Sequence, residues 1–178
     1  MDRLIRLHKK LVKETKTDFF RYLYTEINWD NRMIGIRGPR GVGKTTLLLQ
    51  HIKQDLPLSD ALYVNADDLY FSEHRLIDLA ENLAQQGIHY FFIDEIHKYK
   101  DWSKELKLIY DYFSELHVIF SGSSVLDLNK GSSDLSRRAL MYHLYGLSFR
   151  EYLALFHGLS YPTFTLDELI DGAVESID

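Results

Sequence analysis

A chain of 178 residues with 46% hydrophobic side chains has the length of one domain and enough apolar mass for a sizeable single core. It contains no cysteine, which excludes disulfides, thiolate zinc sites and a cysteine nucleophile. The net charge of -5 argues against a surface wholly committed to phosphate backbones, and no secretory leader or apolar run of about 18 residues is present, so a soluble cytoplasmic protein is expected.

The first predicted element is a helix over 3–16. Arg3, Arg6, Lys9, Lys10, Lys13 and Lys16 recur at steps of three and four along one face, and Leu4, Leu7 and Leu11 mark a second, apolar face. The basic stripe reads first as a solvated face, with nucleic acid or another acidic partner as the alternative. A second helical stretch is predicted over 18–27. Met33, Ile34, Gly35 and Ile36 then form a short buried strand that enters a glycine-rich turn. A helix over 45–54 follows at once, carrying Leu47, Leu48, Leu49 and Ile52, and it stops before Pro57.

The alternation continues with a strand over 61–65, a helix over 73–86, a strand over 89–93, a helix over 102–113 and a strand over 117–120. Near-continuous apolar strands separated by helices imply a parallel sheet covered on both faces. Residues 121–134 read as loops around a short turn, 139–145 as a fifth strand. Ser148 caps a further helix, with Glu151 at capping-box spacing. A last helix, with Leu166, Leu169 and Ile170 on one side, falls within 163–178. The expected fold is α/β, a three-layer sandwich on a mostly parallel five-stranded sheet with a helical N-terminal segment. The expected organisation is a helical segment over 1–30, a nucleotide-binding domain over 31–160 and a helical tail over 161–178 leading into a further domain.

Gly38, Pro39, Arg40, Gly41, Val42, Gly43, Lys44 and Thr45 fit G-x-x-x-x-G-K-[ST], placed between a predicted strand and helix as a P-loop requires. Its glycines let successive N–H groups turn toward one point, and the helix N-terminus adds partial positive charge, so this segment with Thr46 is expected to cradle the phosphates of a nucleotide. Lys44 is placed to reach the β- and γ-phosphates, and the Thr45 hydroxyl to bind Mg2+.

The run Tyr90, Phe91, Phe92, Ile93 ends in Asp94 and Glu95, the Walker B pattern. Asp94 is expected to hold the Mg2+ and Glu95 to orient and polarise the attacking water. Val118, Ile119 and Phe120 deliver Ser121, Gly122, Ser123 and Ser124 to the same sheet edge. Ser123 is the chosen sensor of the γ-phosphate, with Ser121 and Ser124 as competitors. Arg137 and Arg138, before the fifth strand, are placed near enough to face a nucleotide in their own subunit or a neighbour's. Their alternative is a solvated pair at a helix end. Arg40 is expected to point outward, Asp67 and Asp68 serve solvation, and His97 and Lys98 lie close enough to influence Asp94 and Glu95.

With these residues in place the sequence resembles the AAA+-type ATPases of bacteria and archaea that carry a P-loop domain followed by a nuclease-like C-terminal domain. The resemblance rests on GPRGVGKTTLL, YVNADD, FFIDEIHKYKDW, VIFSGSS and RRALMYHLYGLSFREYL. In the last of these Arg138 matches the family arginine, Arg137 stands where the family has a small residue, and Gly146 where it has proline. The resemblance implies Lys44, Thr45, Asp94 and Glu95 as the ATP and Mg2+ site, Ser123 as sensor, and a further C-terminal domain.

The expected activity is hydrolysis of MgATP to drive a conformational change in an attached domain or partner, in a protein that can oligomerise. A non-hydrolysing nucleotide switch and a small-molecule kinase are the competing readings. The carboxylate pair Asp94 and Glu95 argues against the kinase, and no N-K-x-D tetrapeptide is present to favour GTP.

Overall fold

The computed structural model describes residues 1–123, 135, 137–162 and 164–170. Its centre is a sheet of five parallel strands: β1 (Met33–Gly38), β2 (Ala61–Asn65), β3 (Tyr90–Asp94), β4 (His117–Ser123) and β5 (Leu140–His143). Their order is β2-β3-β4-β1-β5. Side chains alternate across a strand with period two, so each strand feeds two cores. Met33, Phe91, Ile93, Val118 and Phe120 face one side with α4 (Leu76–Gln85) and α5 (Trp102–Tyr112). Ile34, Ile36, Phe92 and Ile119 face the other with α3 (Lys44–Asp55), which supplies Leu47, Leu48 and Ile52. The three-layer α/β expectation holds, and the described sheet is wholly parallel.

Helix α1 (Asp2–Glu14) packs on β2 and α3. Its Leu4 and Val12 are buried, while Arg6, Lys9, Lys10 and Lys13 are exposed. Arg3 departs from the simple stripe, because its guanidinium pairs with Asp68.

The predicted helix over 18–27 shrinks to α2 (Leu23–Glu26). The Gln50 amide takes the carbonyls of Lys16 and Phe19 at 2.9 and 2.7 Å, a tertiary bond that competes with helical pairing there. The helix predicted from 73 starts at Leu76. Asp68 caps a 3-10 turn over Leu69–Ser72, and the Glu105 carboxylate of α5 accepts the Ile77 N–H at 3.0 Å. Both β1 and β4 run further than predicted, to Gly38 and Ser123, because they pair with each other over that whole length.

The chain divides into two compact units, Met1–Gly146 and Leu147–Asp178. The second carries α6 (Phe149–His157) and α7 (Leu166–Ile170). Ser148 and Glu151 form the expected capping box, with Glu151 N–H donating to Ser148 Oγ at 3.2 Å and Ser148 N–H to Glu151 Oε2 at 2.8 Å. Ser124, and the part of the predicted tail helix beyond Ile170, lie outside the described residues. No described helix is long and apolar enough to cross a membrane.

Candidate functional site

The strand order determines where a ligand can sit. From β1 the chain crosses to β2 at the far edge, whereas β5 is added on the opposite side of β1. Connections leaving in opposite directions open a crevice at the carboxyl ends of the strands, the usual ligand position in a parallel sheet. The segment from Gly38 to Thr45 fills that position between β1 and α3.

Three glycines shape the loop. At Gly38 a Cβ would lie 2.2 Å from the Leu144 carbonyl oxygen, so only glycine lets the two backbones meet. Gly41 and Gly43 have φ of 82° and 98°, the left-handed region that glycine alone enters freely. A Cβ at Gly41 would meet nothing within 4 Å, so the loop opens there onto free space. Lys44, 5% exposed, donates to the carbonyls of Gly38 and Pro39 at 3.0 and 2.9 Å. An ammonium has three hydrogens, so a third can reach an anion above the loop. The first N–H groups of α3 add unpaired donors at the same place. Pro39, Arg40, Thr45 and Thr46 are exposed, with Val42 half-buried.

Asp94, 1% exposed at the end of β3, is the hub of the site. Its Oδ2 accepts the hydroxyls of Thr45 and of Tyr63 on β2, the latter at 2.9 Å. Its Oδ1 accepts the Ser121 hydroxyl and, at 3.1 Å, the N–H of Glu95. A buried carboxylate is tolerable when this many donors surround it. Burial and the Asp94 charge push the Tyr63 phenol far above its ordinary pKa, so it remains a neutral donor. Thr45 spends its hydroxyl hydrogen on Asp94, which leaves its oxygen lone pairs for a cation. A hard cation takes oxygen ligands, and this donor set suits Mg2+ held between Thr45, Asp94 and phosphate.

Glu95 has φ 52° and ψ 38°, a left-handed conformation that costs a non-glycine residue about 1–2 kcal/mol. The N–H donating to Asp94 Oδ1, and to Ser121 Oγ at 3.3 Å, holds it there. Its carboxylate lies 3.3 Å from Nε2 of His97. The Ser123 N–H points to the other nitrogen of that ring, also at 3.3 Å. Of the serines considered for a sensor, Ser121 places its hydroxyl on Asp94, and Ser123 meets the His97 ring through its backbone.

Arg138 lies elsewhere. It precedes β5, and in a parallel sheet that is the amino-terminal edge, opposite the P-loop. There its Nε and Nη2 bond the two Asp111 oxygens at 2.9 and 3.1 Å. Four residues of β5 at about 3.3 Å each lie between it and the carboxyl edge of the sheet. Arg137 is exposed near the same edge. Sequence reasoning missed Arg21. This buried residue donates to the carbonyls of Val42 in the P-loop and of Tyr145 and Gly146 beyond β5, the latter two at 2.9 and 3.1 Å. Tyr63 opens the motif YVNADD, which by itself assigns it no role. Its place on β2 beside β3 becomes visible once Tyr63 is paired with Phe92 and Asn65 with Asp94.

The family described as AAA domain matches residues 30–153. The uncharacterized protein MJ1637 of Methanocaldococcus jannaschii is 35% identical over 139 residues, which are 72% of this chain and 29% of that protein. The chain therefore spans less than a third of the length of that relative. Among solved structures, C. elegans PCH-2 is similar with a TM-score of 0.50 at 19% identity, over 99% of this chain and 47% of that one. The S. cerevisiae Hsp104-ADP complex is similar with a TM-score of 0.51 at 18% identity, over 89% of this chain and 24% of that one. At these identities the likeness to both is one of fold.

Proposed function

The chain belongs to the AAA domain family, and from that premise we propose that it binds MgATP and hydrolyses it to ADP and phosphate, driving a conformational change in an attached domain or partner. The observation that carries the reading is the meeting of Thr45, from the P-loop side, with Asp94 at the end of β3, beside Glu95. A loop that only bound phosphate would need no carboxylate beyond the Mg2+ ligand.

In this reading the backbone from Gly38 to Thr46 and the Lys44 ammonium bind the phosphates, and Thr45 and Asp94 hold Mg2+. The ion, when bound, neutralises charge on the transferring phosphoryl group. Glu95 accepts the proton of the attacking water, and Ser123 marks the strand end where the γ-phosphate is sensed. Arg138 acts on the phosphates of a neighbouring subunit, a reading supported by its pairing with Asp111 at the sheet edge opposite the P-loop. That role requires an oligomer. ATP is favoured over GTP by the lack of an N-K-x-D tetrapeptide. A cytoplasmic location and the division into 1–30, 31–160 and 161–178 complete the proposal. Nucleic acid along exposed Arg6, Lys9, Lys10 and Lys13 is a minor accompanying reading.

The test compares phosphate release from wild type, Lys44→Ala and Glu95→Gln with MgATP while nucleotide binding is followed separately. Release abolished in both variants, with binding kept in Glu95→Gln, supports hydrolysis. Binding by the wild type with no release above background replaces the enzyme with a nucleotide-binding switch.

A further inference from the structure

His97 lies on the 3-10 turn Ile96–Lys98 that follows Glu95, and its side chain is 7% exposed. Its two ring nitrogens face different elements. Nδ1 is 3.3 Å from the backbone nitrogen of Ser123, at the end of β4, and Nε2 is 3.3 Å from Glu95 Oε2. A backbone N–H can only donate, so Nδ1 presents its lone pair. In a neutral imidazole the proton then sits on Nε2, directed at the carboxylate. The ring has one arrangement that satisfies both neighbours.

Glu95 needs such a partner. Its backbone is fixed by the bonds from its N–H to Asp94 and Ser121, but its carboxylate stands at the end of a flexible side chain, partly exposed. Among the described residues His97 is the polar group on that carboxylate. Burial favours the uncharged ring. Glu95 opposes this, Lys98 and Lys44 reinforce it, and Asp67 opposes it weakly.

We propose that His97 is a positioning residue: as the Nε2–H tautomer it ties the Glu95 carboxylate to the carboxyl end of β4, so that base and sensor strand keep one register. The inference rests on the role proposed for Glu95. A carboxylate that must take a proton from a water held in line with the γ-phosphate loses efficiency steeply when misplaced by about 1 Å, of order 100-fold. A side chain that pins it to the strand beside the nucleotide reduces that misplacement. Because the Nδ1 contact is to backbone, it survives any change of side chain at Ser123.

Two measurements on the whole chain test this. Long-range 1H–15N correlation of the His97 ring, in wild type and Glu95→Ala, should show the Nε2–H tautomer at neutral pH and a shifted Nε2 proton once the carboxylate is gone. Phosphate release should fall about 10- to 100-fold in His97→Asn, with the KM for ATP within about two-fold. His97→Gln, whose amide can reach the same oxygen, should restore most of it. The Nδ1–H tautomer, or an Nε2 proton indifferent to Glu95→Ala, overturns the inference. So does equal loss in the Asn and Gln variants, which marks a merely structural residue. A wild type that releases no phosphate sinks the hydrolytic reading, whereas the ring measurements still decide the link between His97 and Glu95.

Discussion

Tyr63 on β2 donates its hydroxyl hydrogen to Oδ2 of Asp94 on β3 across 2.9 Å, inside the sheet edge where Thr45 bonds the same oxygen. The residues are joined by the parallel register that pairs Asn65 with Asp94. Tyr63→Phe removes the donor and leaves the ring in place. A hydrogen bond to a buried charged group is worth about 1.5–3 kcal/mol, so the variant should lose about 2 kcal/mol in urea unfolding without Mg2+. An unchanged midpoint would show that Thr45 and Ser121 already satisfy Asp94.

The glycines of the P-loop separate two physical effects. In Gly38→Ala the new methyl meets the Leu144 carbonyl at 2.2 Å, a backbone atom that cannot swing aside, so about 3 kcal/mol or more of stability should be lost. In Gly41→Ala the methyl meets nothing within 4 Å, and the cost is only that of φ 82°, about 1 kcal/mol. Chemical denaturation of both variants checks the ranking. Equal losses would mean that the loop yields at Leu144.

Much of this site was legible in the sequence because its elements are local. Glycine spacing and flanks mark Gly38 to Thr45, an apolar run ending in two acids marks Asp94 and Glu95, and Ser148 with Glu151 marks a helix start. What was not legible depends on which strands are neighbours. Ser121 and Tyr63 reach Asp94 only because β3 lies between β2 and β4, and chain order alone leaves the strand order open. The position of Arg138 was available: a residue just before a parallel strand lies at the edge opposite the P-loop. Arg21 gave no signal, since its partners are carbonyls, and Tyr145 and Gly146 are more than a hundred residues away.

Arg21 joins the P-loop carbonyl of Val42 to Tyr145 and Gly146. One buried guanidinium serving carbonyls in separate segments fixes the loop from behind. Arg21→Gln is too short to span them and leaves carbonyls of half-buried Val42 and exposed Tyr145 and Gly146 without their charged donor, so a loss of about 1.5–3 kcal/mol is expected. Urea unfolding reads the loss, and a weaker affinity for nucleotide should accompany it. Wild-type values in both would mean that other donors or water replace the guanidinium.

Acid should weaken the fold through buried histidines. His8 on α1 is buried, and its Nδ1 accepts the Tyr63 N–H at 3.1 Å, which requires a lone pair. Burial holds its pKa below the ordinary 6.5, and burial lowers His51 and His97 likewise. The unfolded chain therefore takes up protons at pH values where the folded one does not. Stability is full above about pH 6.5 and declines as the pH falls from there toward the folded pKa values, by up to about 1.4 kcal/mol per pH unit for each proton taken up. His8→Asn, whose Oδ1 stands where Nδ1 does, keeps an acceptor for Tyr63 and cannot titrate, so its curve of unfolding free energy against pH should be shallower below pH 6.5 than that of the wild type. Parallel curves for the two proteins would show that His8 titrates alike in both states, and that the acid sensitivity belongs to His51 and His97.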